Sequence, residues 1–125
     1  MAVAVASARA SDGSFLYQVT GVDRPTPQGS ERVEALQRGV FPFPTADVTL
    51  REALTLAHES GNLSATTDEL VYSSADVVVI DIAFDFPYRE AQPQLPMSDL
   101  ELAVRSIARH VPKGALVLVE TTVPP

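Results

Sequence analysis

The run Val77-Val78-Val79-Ile80-Asp81-Ile82 constrains the fold more than any other segment, because five of its six residues are apolar and β-branched. Such side chains suit a pleated strand and lose rotamer freedom in a helix. A strand with almost no polar alternation leaves no face for water, so the run predicts a parallel strand covered on both sides at the centre of a sheet. Residues 115–120 and 15–22 read as further buried strands, the latter ending at Asp23, and residues 63–66 as a short one.

Helical spacing fills the intervals. Ser30 is the expected N-cap of a helix over residues 31–38 that stops at Gly39, and Thr49 that of a second helix reaching Glu59. In the second, Leu50, Ala53, Leu54 and Ala57 form one apolar face before Gly61. Ser98 is expected to cap a third helix, with Leu100, Val104, Ile107, Ala108 and Val111 as its stripe and Pro112-Lys113-Gly114 as its end. Turn chemistry marks Ser11-Asp12-Gly13-Ser14, and prolines break regular structure in residues 24–29 and in Phe41-Pro42-Phe43-Pro44. Residues 1–10 suit either a helix, through their alanines, or a strand, through the alternation of Val3 and Val5. Strands alternating with helices imply an α/β fold: one doubly wound parallel sheet with helices on both faces, in a single domain over residues 1–125.

Composition removes several functions. With no cysteine there is no disulfide, thiolate zinc site or thiol nucleophile in these residues. A net charge of -7 disfavours nucleic-acid binding, which needs clustered Lys and Arg to displace counterions. His58 and His110 lack partners at metal-ligand spacing, so no metal is expected. No apolar run approaches the roughly 20 residues of a membrane helix, and no export signal opens the chain, so a soluble, cytoplasmic protein is expected.

An acidic residue ending a strand is where dinucleotide-binding folds accept the adenosine ribose hydroxyls, although Asp at a strand end also simply suits a turn. Asp23, after Val19-Thr20-Gly21-Val22, stands in that place. Further segments follow in order: Glu31-Arg32-Val33-Glu34-Ala35-Leu36 with Arg38-Gly39 and Pro42-Phe43, then Leu63-Ser64-Ala65-Thr66-Thr67-Asp68, then Ser74-Ala75-Asp76-Val77-Val78-Val79-Ile80. The most specific is last, Lys113-Gly114-Ala115-Leu116-Val117-Leu118-Val119-Glu120-Thr121-Thr122-Val123-Pro124-Pro125. Together they resemble the NAD-binding domain of the UDP-glucose/GDP-mannose dehydrogenase family, whose members oxidise the C6 alcohol of a sugar nucleotide to a carboxylate with two NAD molecules in succession and a covalent thiohemiacetal on a cysteine.

The resemblance implies a Rossmann-like fold, NAD as cofactor, a nucleotide-sugar substrate, a role in polysaccharide precursor synthesis and a homo-oligomer. It implies that Asp23 binds the adenosine ribose, that Glu120 and Thr121 flank the cofactor, and that Thr122 is the catalytic threonine, near the nicotinamide and the catalytic water. Thr121-Thr122 would otherwise be a polar strand end.

The pattern is incomplete. Residues 1–10 resemble the helix that follows the family's first strand and Gly-x-Gly-x-x-Gly loop, and the family's cysteine nucleophile would lie beyond Pro125. The expectation is a domain cut short at both ends, inactive and poor at binding NAD by itself. The gap left by the first strand is expected to close either by residues 2–6 acting as a strand or by direct pairing of residues 15–22 with residues 77–82. A Pro-Thr pair common in the family is replaced by Ile82-Ala83-Phe84-Asp85, leaving Asp81 and Asp85 as solvated or capping carboxylates, or as acid/base contacts. Phe41, Phe43, Phe84, Phe86 and Tyr88 are expected to pack, or to form an apolar patch that favours self-association. Two other functions fit the residues: a Rossmann-like interaction module without redox activity, and another NAD(P) oxidoreductase such as a hydroxyacid dehydrogenase.

Overall fold

The computed structural model describes residues 1–82 and 98–121. The chain divides into two compact units, Met1–Asp68 and Glu69–Pro125.

The first unit holds helices α1 (Ala2–Ala6), α2 (Pro27–Gln37) and α3 (Val48–Glu59) and strands β1 (Val19–Val22) and β2 (Leu63–Thr66). β1 and β2 pair in parallel, Val19 opposite Leu63 through Val22 opposite Thr66, so α2 and α3 form the crossover between them. α1 packs against α3 and both strands, and α2 against β2. Ala6, Val33, Leu54, Ala57 and Ala65 are buried. Three of these five are alanines, which lets backbones approach closely. Buried Asn62 binds the layers together: its Nδ2 donates to the Ala6 and Tyr17 carbonyls, and its Oδ1 accepts from the Ser60 hydroxyl.

Several expected boundaries move, each for a local reason. Residues 1–10 resolve toward helix, since alanine is the best helix former, and the expected use of residues 2–6 as a strand does not occur. The strand expected over residues 15–22 begins only at Val19. Ahead of it, a tight turn through Gly13 (φ 86°) bridges Arg9 to Phe15, with Asp12 Oδ1 accepting the Ser14 N–H at 2.9 Å and the Arg9 guanidinium 3.9 Å from the Phe15 ring centre. α2 starts four residues early. Thr26, not Ser30, is its cap, taking the Gly29 N–H at 3.1 Å, and Pro27 begins the helix because the first turn has no use for its missing N–H. Asp47, not Thr49, caps α3 by accepting the Leu50 N–H at 3.0 Å. At the other end of α2, His58 Nε2 lies 2.8 Å from the Gln37 carbonyl; a carbonyl only accepts, so this nitrogen carries the proton. Gly39 (φ 71°) turns the chain over that ring.

The second unit contains a 3-10 helix (Glu69–Ser74), β3 (Val77–Ile80), α4 (Ser98–His110) and β4 (Leu116–Val119). β3 and β4 are parallel, Val77 opposite Leu116 through Ile80 opposite Val119. Val78, Ile80 and Ile107 form its core, with Tyr72, Ala75, Ile82, Leu100 and Val111 packed around them. Burial pushes the Tyr72 hydroxyl pKa up, helped by the charge of Glu69. Leu100 and Ile107 in α4, and Val111 just after it, serve the core as expected, whereas Val104 and Ala108 are exposed.

Parallel pairing in both units is as the alternating sequence implies. Among the described residues β1 pairs with β2 in the first unit and β3 with β4 in the second. β3 is not covered on both faces: Val78 and Ile80 are buried, Val77 and Val79 exposed, and all four β4 residues are exposed. Its apolar composition predicted two covered faces, but the described helices of this unit supply cover for one.

Candidate functional site

Asp23 follows the last residue of β1, and its N–H continues the ladder by donating to Thr66 O at 3.1 Å. Its carboxylate is therefore held at the carboxyl end of a parallel strand, where α/β sheets bind ligands. Arg32, on α2, grips it with both prongs: Nε donates to Oδ2 at 2.6 Å and Nη2 to Oδ1 at 3.0 Å. The Arg24 N–H donates to Oδ1 at 2.7 Å. The side chains are half-buried, Arg32 33% and Asp23 28% exposed.

The helix reaches the strand end because residue 29 is glycine. A Cβ there would meet the Arg24 carbonyl oxygen at 2.0 Å and Asp23 Oδ1 at 3.1 Å. Neither Gly29 nor Arg32 was expected to act here. Gly29 sat in a segment read as irregular, and Arg32 carried no role; a charged residue on the first turns of a helix following a strand-end Asp was the available signal.

The Arg32 hydrogen bonds hold the Asp23 carboxyl below the usual carboxylate range, against the opposing effect of burial. A depressed folded pKa stabilises the fold above the unfolded value of about 3.9 and loses that contribution as pH falls through the folded value. The stability gap between the wild-type chain and Arg32→Ala, measured by urea unfolding, is accordingly expected to be full at pH 7 and to shrink below about pH 4. A gap that stayed constant down to pH 2 would show that Arg32 acts by packing alone.

In the second unit, the other candidates stand where β4 ends. Glu120 is exposed, and its N–H donates to Ile80 O at 2.9 Å. Thr121 is buried, and its hydroxyl is spent on backbone: Oγ1 accepts the Ile82 N–H at 2.7 Å and lies 3.1 Å from Ile82 O. It clamps the ends of β3 and β4 together. Asp81 is exposed after β3. Thr122, Asp85, Phe84, Phe86 and Tyr88 lie outside the described residues. Phe41 and Phe43 meet edge to face, 5.9 Å between ring centres. Among the described residues, no group of three His, Cys, Asp or Glu could hold a metal ion, and no helix is long and apolar enough to cross a membrane.

Parallel strand pairs joined through helices, with an acidic residue closing the first strand, define a Rossmann-like dinucleotide-binding domain. The chain belongs to the UDP-glucose/GDP-mannose dehydrogenase family, whose NAD binding domain matches residues 4–125. Among solved structures it is similar to an NDP-N-acetyl-D-galactosaminuronic acid dehydrogenase from Methanosarcina mazei Go1, with 26% identity and a TM-score of 0.84 over 99% of this chain and 25% of that one. A UDP-D-ManNAc dehydrogenase from Pyrococcus horikoshii has 25% identity and a TM-score of 0.72, covering 99% of this chain and 26% of that one. GDP-mannose dehydrogenase from Pseudomonas aeruginosa, at 22% identity and a TM-score of 0.75 over 99% of this chain and 26% of that one, shares the fold. The chain thus spans about a quarter of the length of these solved structures. A comparison with curated proteins finds no match.

Proposed function

We propose that this chain supplies the adenosine side of the NAD site in a nucleotide-sugar 6-dehydrogenase, an enzyme oxidising the C6 alcohol of a UDP- or GDP-sugar to a uronate. The observation that carries the reading is the Asp23 carboxylate, fixed at the carboxyl end of a parallel strand with acceptor capacity left on Oδ2. That chemistry fits a ribose hydroxyl, which donates to a carboxylate more strongly than to a neutral acceptor.

NAD, when bound, supplies the hydride acceptor; this chain's residues hold and orient it. Asp23 would bind the adenosine ribose, and Glu120 and Thr121 would border the site at the end of β4. Because the Thr121 hydroxyl is committed to Ile82, its contribution would be to fix the strand end from which Thr122, the proposed catalytic threonine, follows. The chain by itself would not turn over sugar, since it holds no cysteine for the covalent step. The complete enzyme would work as a homo-oligomer where NAD is supplied, in the cytoplasm, making polysaccharide precursors.

The test is a titration of the purified chain with NAD by ligand-observed NMR, beside Asp23→Ala. Losing a charge-assisted hydrogen bond is expected to weaken binding about tenfold or more. Equal affinity in the two folded chains would remove Asp23 from the site.

A further inference from the structure

α3 turns Leu54 and Ala57 into the first unit, where they are buried. The opposite side of such a helix is ordinarily polar. Here Val48, Glu52, Thr55 and Leu56 fall at positions i, i+4, i+7 and i+8 and share that side, with Arg51 beside them. These five residues line a groove open to solvent, and its two large apolar side chains are left in water, Val48 54% and Leu56 65% exposed. The charges at the middle of the groove are of opposite sign, and among the described residues neither the Arg51 guanidinium nor the Glu52 carboxylate has an ion-pair partner.

Along the groove the order is apolar, basic, acidic, apolar. Turned end for end about a twofold axis between residues 51 and 52, that order complements itself. Arg51 of each copy then lies beside Glu52 of the other, and Val48 against the turn that carries Thr55 and Leu56. Parallel pairing would set Arg51 against Arg51 and Glu52 against Glu52, so the charges fix the direction. They also favour this place over others. A chain of net charge -7 repels its own copies, whereas Arg51 and Glu52 cancel within the groove.

We propose that the exposed face of α3 is a contact between two copies of this chain, paired antiparallel through reciprocal Arg51–Glu52 ion pairs flanked by the Val48 and Leu56 side chains. The inference gives a surface to the homo-oligomer proposed for the complete enzyme and rests on that proposal. A helix of 12 residues is about 18 Å long, so the contact falls short of the roughly 1,200 Å² of a standard-size interface. Association is accordingly weak, with a Kd on the order of 0.1 mM.

Sedimentation of the chain from about 10 µM to about 1 mM tests it, beside Glu52→Arg and Arg51→Glu, with circular dichroism to establish that each variant is folded. The wild-type chain is expected to dimerise across that range and to return toward monomer in about 0.5 M salt. Each variant alone sets like charges against like and is expected to weaken association about tenfold or more. An equal mixture of the two is expected to restore it, since one copy then presents paired arginines and the other paired glutamates, an outcome that a merely structural effect does not produce. A wild-type chain monomeric at about 1 mM overturns the inference and, for this chain, the homo-oligomer reading with it. Equal association in the wild type and both variants overturns the α3 contact alone and moves the oligomer to another surface, such as the exposed side of β3. Association lost in each variant and not regained in the mixture also overturns it.

Discussion

Replacing Gly29 by alanine is expected to destabilise the chain by about 3 kcal/mol, near the upper end of what overpacking a close contact costs. The conflict is one of space. The new Cβ would sit 2.0 Å from the Arg24 carbonyl oxygen, 3.1 Å from the Arg24 carbonyl carbon and 3.1 Å from Asp23 Oδ1. Two of these atoms are backbone, so no rotamer change removes the clash, and the first turn of α2 has to retreat from the end of β1. That turn also carries the Thr26 cap, and the same helix carries Arg32, so its retreat stretches the bidentate pair with Asp23. Gly29→Ala is therefore expected to raise the Asp23 carboxyl pKa toward its ordinary value as stability falls. Urea unfolding reads the first effect and a carbon-13 titration of the Asp23 carboxyl the second. A variant within about 0.5 kcal/mol of the wild-type chain would mean that α2 yields without resistance.

Leu54→Ala is expected to cost about 3 kcal/mol, within the range for emptying a buried leucine site. Leu54 is 1% exposed on α3, which packs against α1 and β2. Its buried neighbours in the unit include Ala6, Ala57 and Ala65, short side chains that cannot extend to fill the space. Against a total stability of about 5–15 kcal/mol, that loss would lower the urea midpoint clearly. Leu56, two residues on and 65% exposed, is the internal control. Leu56→Ala is expected to change stability by less than about 0.5 kcal/mol, and equal losses at the two positions would contradict the burial assigned to Leu54.

Much of the fold was legible because its signals are local. Residues 63–66 were expected as a strand and are β2 with the same bounds. The stops at Gly39, Gly61 and Gly114 are all left-handed positions, with φ of 71°, 75° and 94°, a conformation that disfavours any residue with a Cβ. Helix starts were less legible where caps compete. Ser30 and Thr49 are good capping residues, yet Thr26 and Asp47 lie earlier and take the role, and Pro27 switches from breaker to first helical residue once Thr26 precedes it.

The site divides in the same way. Asp23 was legible because a strand-end carboxylate has a fixed place along the chain. Its partners were not, because Arg32 is nine positions away and reaches Asp23 only when α2 begins at Pro27 and Gly29 admits the helix against Arg24. Thr121 was legible as a polar residue at a strand end, but that its hydroxyl faces Ile82 backbone depends on the β3 and β4 register.

By itself, the sequence determined the alternation of strands and helices, their parallel pairing and the acidic end of β1, since each follows from the residue types within a short window. Only the tertiary structure decided how many faces of β3 are covered and that Asp23 is held by an arginine. Burial and ion pairing depend on which distant segments arrive at a surface, and residue composition within a segment carries no record of that.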